Sequence, residues 1–358
     1  MNKSNNDKNN KIVRILSLDG GGTRGYIQAK FLELFCKDAG INDLGEYFDL
    51  IAGTSIGGIN AVAFASGMKP TDLVKFFREK SPWIFTIRNK KDIFSNNASI
   101  PSNTPNKWQM LYMIGTSNPF YKSVSQKSNY GDARLHKELK NVFGDKLLNQ
   151  VKTKVLLPAY NLSNCTPIVF TNVNLDNISN AFVNVKIVDA LMATASFPTY
   201  FPSVKLKLSN NFANVADGGL FQYNPSVLAL IVAKHCYPSA NKYCILSIGT
   251  GIRQSKLKFD EGKNIIYNLL PIKYTRLWDI FMQSSKTTCD TLLNTLGNDI
   301  DSNINYYRFN VNLDTNKECG LDTSTSNFFD YLDNIVELKY KENIKEIKQF
   351  ISNINSIK

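Results

Sequence analysis

A chain of 358 residues with 43% apolar side chains is long enough to bury a sizeable core and fits a globular protein built as one large α/β domain or two smaller ones. Its 42 Lys and Arg against 30 Asp and Glu leave a net charge of +12, which favours contact with phosphate-bearing surfaces. Six cysteines scattered without a CxxC pair (Cys36, Cys165, Cys236, Cys244, Cys289 and Cys319) argue against a zinc site and a disulfide scaffold, and are expected as free, mostly buried thiols.

The first residues, "MNKSNNDKNNK", lack the apolar run of a secretory signal, and residues 1–10 read as a short disordered tail. Ile12 to Leu18, "IVRILSL", is a short apolar run suited to a buried parallel strand. Beyond the glycines that follow it, Ile27, Phe31, Leu34 and Phe35 recur at helical spacing, with Lys30, Glu33 and Lys37 on the other side. "YFDLIAG" (Tyr47 to Gly53) then runs into a turn at Thr54-Ser55 and a small-residue helix from Gly57 onward. Leu50 to Met68 carries no charge over 19 residues, but its glycines and hydroxyl side chains suit strand, turn and buried helix better than a membrane span. Two strand-to-helix units this close together predict a layered α/β fold with a parallel core.

Residues 81–129, rich in Asn, Ser and Lys and punctuated by Trp83, Phe85, Phe94, Trp108, Tyr112, Phe120 and Tyr121, read as a surface excursion or lid. Further strands are expected at 154–162, 166–172, 243–249 and 305–311, and further helices at 188–195, 226–235, 277–296 and 327–354. Ile344, Ile347, Ile351 and Ile354 should hold the last helix against the body. Between Lys234 and Lys286 nine Lys and Arg face three acids, a basic stretch open to two readings: a solvated surface, or contact with nucleic acid or an anionic membrane.

Gly53-Thr54-Ser55-Ile56-Gly57 matches GxSxG, in which a sharp strand-to-helix turn presents a serine in a strained, exposed pose. The bland alternative is Ser55 as a helix N-cap. A serine nucleophile needs a base, and neither histidine is well placed: His136 lies in the charged helix "ARLHKELK" and His235 ends the apolar helix "VLALIVAKHC". A partly desolvated carboxylate can take that proton directly, and Asp217-Gly218-Gly219 supplies one on a tight turn, unless Asp217 is only a turn-forming residue.

The glycines Gly20-x-Gly22-x-x-Gly25 are then open to several roles. A dinucleotide fingerprint lacks its acid at the end of the second strand, and a Walker loop lacks its Gly-Lys-Ser/Thr. "DGGGT" also looks like the phosphate loop of actin-fold sugar kinases. As an oxyanion hole, the amides of Gly20, Gly21 and Gly22 would meet the acyl oxygen beside Ser55, joined by the amide of Ile56. Gly25 starts a helix whose dipole points at the same spot.

Taken in order, "DGGGTRG" (Asp19 to Gly25), "GTSIGG" (Gly53 to Gly58) and "DGG" (Asp217 to Gly219) resemble patatin-like phospholipases. "ATASFPTYFP" (Ala193 to Pro202), "ADGGLFQYNP" (Ala216 to Pro225) and "ILSIGTG" (Ile245 to Gly251) support the likeness, which covers residues 12–251. It implies a three-layer α/β/α patatin-like fold with a mainly parallel central sheet; the chain is expected as a single domain over 11–358, whose part after 251 lies outside the resemblance and reads as mainly helical. It also implies a Ser55–Asp217 dyad and calcium-independent hydrolysis of acyl esters in phospholipids or related lipids, with no metal and no cofactor. Arg24 matches the arginine of the family's glycine motif, either positioning the oxyanion loop or making a structural ion pair. The expected partners are an acyl-lipid substrate and an anionic membrane touched peripherally, not nucleic acid. The expected location is cytoplasmic at membranes, with a secreted effector exported without a cleaved signal as the alternative. A catalytically silent lipid-binding module and the sugar kinase are the rival functions.

Overall fold

The computed structural model describes residues 11–85, 132–175, 181–198, 200–208, 211–253 and 276–355, and of 276–279 the backbone alone. The expected tail over 1–10 and all but the first residues of the excursion over 81–129 lie outside the described residues.

Ile12–Leu18 forms strand β1; a 3-10 turn over Gly22–Gly25 leads into helix α1, Tyr26–Ala39. The side chain of Asp43 accepts from the amides of Gly45 and Glu46 and so caps a single helical turn, α2 (Leu44–Tyr47). Strand β2 is thereby shortened to Leu50–Gly53, later in starting than the apolar run predicts. There follow α3 (Ile56–Ala65), α4 (Pro70–Ile84), α5 (Asp132–Phe143), β3 (Lys154–Asn161), β4 (Thr166–Thr171), β5 (Ala181–Phe182) and α6 (Ile187–Ala195). The chain continues through β6 (Val204–Leu208), β7 (Asn211–Asp217), α7 (Ser226–Cys236), β8 (Lys242–Ile248), β9 (Ile252–Arg253) and α8 (Arg276–Thr295). It ends with β10 (Ile304–Phe309), β11 (Asn312–Leu313), α9 (Ser326–Glu342) and α10 (Ile344–Asn355).

The main sheet runs β10-β8-β1-β2-β3-β4-β5, with β7 and β6 branching from β3. From β10 to β3 every pairing is parallel; β4, β7 and β6 are added antiparallel. Alternation along β1 separates two apolar layers: Val13 and Ile15 pack with α7 and α8, while Leu16 and Leu18 pack with α1, α3 and α9. The three-layer α/β/α arrangement with a mainly parallel sheet is therefore the one observed.

One irregularity of this sheet builds the site. Strand β2 pairs with β3 from Leu50 opposite Lys154 only as far as Ala52 opposite Leu156, because the chain turns at Ser55. β3 runs on, and the edge vacated by β2 is taken by β7, with Ala159 opposite Asp217 and Asn161 opposite Val215. The backbone groups of β3 stay paired, and Asp217 arrives at the level where β2 ends.

The strands β6 and β7 were not expected from the sequence. The long C-terminal helix expected over 327–354 is two helices, interrupted at Asn343; of the expected stripe Ile347 and Ile354 are buried and Ile344 and Ile351 half-buried, and Phe350 is buried beside them. Among the described residues, no helix is long and apolar enough to cross a membrane, and Leu50 to Met68 is strand, turn and buried helix.

Candidate active site

Ser55 has φ 57° and ψ −126°, a left-handed backbone that a non-glycine residue rarely adopts. The flanking glycines permit this turn: a Cβ on Gly53 would stand 2.0 Å from the carbonyl oxygen of Gly57. Ser55 sits at the N-cap position of α3, yet its side chain makes no cap bond, so the N-cap reading does not describe it. Its amide donates to Thr194 Oγ1 at 3.1 Å, and the Thr194 hydroxyl donates to the carbonyl of Pro158 at 2.5 Å, tying the turn to α6 and β3.

Asp217 is completely buried. Its Oδ1 accepts the amide of Gly219 at 2.7 Å, so it does form the turn its sequence suggests. Its Oδ2, however, has no hydrogen-bond partner. Burial pushes the carboxyl pKa from 3.8 up to about 7; the Ser55 hydroxyl and the Gly219 amide pull the other way. The Ser55 hydroxyl is therefore close enough to favour the charged carboxylate by hydrogen bonding, although Oδ2 holds no regular hydrogen bond in this arrangement. A carboxyl poised near neutrality beside a strained serine is suited to general-base work.

The glycine loop departs in part from expectation. The Gly20 amide donates to the carbonyl of Tyr223 at 3.1 Å and is not a free donor. What Gly20 supplies is closeness, since a Cβ there would meet the Tyr223 ring at 3.2 Å and Ser55 Cβ at 3.4 Å. The amides of Gly21, Gly22 and Ile56 donate to no protein acceptor among the described residues. Gly22 has φ +57°, and a Cβ there would lie 1.9 Å from the carbonyl oxygen of Leu321, which also accepts the Thr23 amide at 2.8 Å. Gly22→Ala should push the loop off Leu321 and lower turnover by about 100-fold, the typical loss for one misplaced oxyanion donor. Measured kcat equal to that of the parent would show that the loop's position is not needed.

Arg24 is buried, its Nε has no acceptor, and among the described residues no carboxylate pairs with it, so it is not the structural ion pair that was one of its two expected roles. The ion pair beneath the loop belongs to Asp19. That buried carboxylate accepts Arg308 Nη1 at 2.9 Å and Nη2 at 2.6 Å, with Lys286 Nζ at 3.9 Å. Lys286 also donates to Thr250 Oγ1 at 3.2 Å, whose hydroxyl donates to the Gly20 carbonyl at 2.6 Å. From the other side Gln28 Nε2 donates to the Asp19 carbonyl at 2.8 Å, and Asn60 Nδ2 to Gln28 Oε1 at 2.8 Å. Sequence reasoning missed Thr194, Gln28, Asn60, Lys286 and Arg308. It counted Lys286 in a basic stretch, where the structure buries it; Lys256, Lys258, Lys263 and Lys273 of that stretch lie outside the described residues.

Gly25, Gly57, Gly218 and Gly219 hold the closely packed turns around these groups. His136 and His235 are both exposed on their helices, and neither makes a hydrogen bond to Ser55 among the described residues. A narrow apolar cavity of about 50 Å³, lined by Ile56, Ile59, Phe76, Leu139, Ala195 and Phe201, opens beside Ser55. A larger polar cavity of about 530 Å³, with Asp49, Lys152, Lys154 and Tyr237 on its wall, sits at the opposite, amino ends of the strands and touches none of these groups. Among the described residues, no group of three or more His, Cys, Asp or Glu is placed to hold a metal.

The family model described as "Patatin-like phospholipase" matches residues 16–231. "Patatin-like protein 2" of Oryza sativa subsp. indica is 26% identical over 378 aligned residues, covering 94% of this chain and 86% of the relative. The "cGAMP-activated phospholipase" of Vibrio cholerae serotype O1 is 33% identical over 226, covering 61% of this chain and 57% of that protein. Among solved structures, "Human GIVD cytosolic phospholipase A2 in complex with Methyl gamma-Linolenyl Fluorophosphonate" aligns with a TM-score of 0.47 at 10% identity, over 96% of this chain and 58% of that one.

Proposed function

The chain belongs to the patatin-like phospholipase family, and from that premise we propose that it is a lipid acyl hydrolase working through a Ser55–Asp217 dyad. The observation that carries the reading is the fully buried Asp217 carboxyl, whose Oδ2 lacks a regular hydrogen bond and whose charged form is favoured by the hydroxyl of Ser55, a serine held in a left-handed turn. Asp217 takes the Ser55 proton as Oγ attacks the ester carbonyl. The amides of Gly21, Gly22 and Ile56 receive the oxyanion at the start of α3, whose dipole favours the developing charge. The protonated Asp217 then returns its proton to the departing alcohol. A water molecule, deprotonated by the same carboxylate, attacks the acyl-enzyme and releases the fatty acid.

The acyl chain enters the apolar cavity between α3, α4 and α5. The ester comes from a membrane phospholipid or related lipid, and every group the reaction uses belongs to the chain, so it proceeds in the presence of a metal chelator. A fluorophosphonate should label the protein and Ser55→Ala should abolish both labelling and fatty-acid release. Full acyl release by Ser55→Ala would refute the dyad. Labelling without any turnover of lipid would favour the silent lipid-binding module.

A further inference from the structure

The hairpin β6–β7 has two unlike faces. Leu206, Leu208, Ala213 and Val215 are buried against the body, while Lys205, Lys207, Phe212 and Asn214 are exposed. Register puts the exposed set together: Lys207 stands opposite Phe212 and Lys205 opposite Asn214. The Leu162 amide donates to the Asn214 carbonyl at 2.8 Å, which brings a third strand's end onto the same patch. Phe212 is 65% exposed and Leu162 42%, and the Lys205 ammonium lies 4.9 Å from the Phe212 ring centre. From 160 to 167 there is no acid, and from 204 to 217 the only one is the buried Asp217.

Where the patch stands follows from the sheet. Asp217 pairs with Ala159 at the level where β2 gives way to Ser55, and β7 leads away from that level toward Phe212. Five residues of strand at about 3.3 Å each place Phe212 about 17 Å beyond Asp217, past the carboxyl ends of the parallel strands. The hairpin therefore projects from the rim on which Ser55 lies.

We propose that the outer face of the β6–β7 hairpin, with Leu162 beside it, is the surface by which this protein docks on an anionic phospholipid bilayer. This deepens the lipid-hydrolase reading and rests on it for its purpose. An aromatic flanked by lysines is suited to such an interface: the ring enters the headgroup boundary while each ammonium stays at the phosphates. A second copy of the chain fits less well, because a two-fold contact through this face would set lysines against lysines.

The test is co-sedimentation of the full chain carrying Ser55→Ala, which leaves vesicles intact, with vesicles of equal parts phosphatidylcholine and phosphatidylserine. Lys205→Glu/Lys207→Glu should weaken binding by at least about 25-fold, roughly fivefold for each cation lost near the surface. Phe212→Ser should weaken it by about tenfold, and salt should weaken the parent. Ile300→Ser, which removes another exposed apolar residue, should change nothing. In the Ser55 background the hairpin variants should hydrolyse a soluble nitrophenyl ester at the parental rate, with unaltered thermal unfolding. Equal vesicle affinity in parent and hairpin variants, or no binding by the parent, overturns the proposal. A parental dimer that the variants dissociate assigns the face to a second copy and overturns it too. Absence of ester hydrolysis in the unsubstituted chain would instead count against the dyad, leaving the vesicle result to stand alone.

Discussion

Asp217→Asn is expected to abolish acyl release and, at the same time, to make the protein harder to unfold above neutral pH. The carboxyl is fully buried and its pKa lies at about 7, above the ordinary 3.8. Between these two values the folded state keeps a proton that the unfolded chain has lost, so stability falls as pH rises through that window and stays low above it. Roughly three pKa units correspond to an upper bound of about 4 kcal/mol. Asparagine carries no charge and can still accept the Gly219 amide through Oδ1. Thermal unfolding at about pH 8 should therefore move upward by several degrees in the variant, and the two proteins should converge below pH 4 or so. Turnover by the unsubstituted enzyme needs the ionised base and should rise to a plateau above about pH 7. An asparagine variant that turns over lipid, or that unfolds like the parent at every pH, would remove Asp217 from the mechanism.

The second large effect concerns the ion pair beneath the glycine loop. Arg308→Met should cost about 3–5 kcal/mol, because it leaves the buried Asp19 carboxylate with only Lys286, at 3.9 Å, for compensation. Burial alone would lower the Arg308 pKa; the Asp19 charge more than restores it, which is the mark of a coupled pair. Removing both charges, as Asp19→Asn/Arg308→Met, should recover only part of the stability, since the unpaired carboxylate is gone but the buried Lys286 loses the Asp19 charge 3.9 Å away. Asp19 immediately precedes Gly20, so the single variant should lower kcat on a soluble ester more than it alters KM. Denaturant unfolding and steady-state kinetics check both statements. A single variant with parental midpoint and kcat would show that the pair neither holds the fold nor positions the loop.

What could be read from the sequence was what is local. The turn at Ser55 lies within five residues, and the run before Asp217 and the glycines after it lie within a dozen, so short-range spacing carries the information. β1 and α6 were legible because an apolar run and a helical period each report a single burial environment. Strands β6 and β7 were not, because "VKLKL" alternates over only five residues and its polar half looks like loop. Lys286 and Arg308 left no signature at all: a lysine in a basic stretch looks solvated until its partner, 267 residues earlier for Asp19, is known to face it. The direction of the Gly20 amide was equally hidden, since spacing says that backbone comes close to something but not which N–H points there. Asn343 interrupts the last helix without disturbing the apolar period on either side, so only the backbone reveals the break.

The exchange of β2 for β7 along the edge of β3 also bears on when the protein becomes able to act. The serine arm, from β1 through α3, is assembled from neighbours in the chain and needs only short loops to close. The proposed base, Asp217, arrives with a strand more than 150 residues downstream, and Arg308, which pairs with Asp19 next to the glycine loop, comes 289 residues after it. Contacts of such long range are slow to form and come late. On the proposed mechanism, a nascent or half-folded chain would present the serine turn without its base, inert toward acyl esters until the last sheet pairings close.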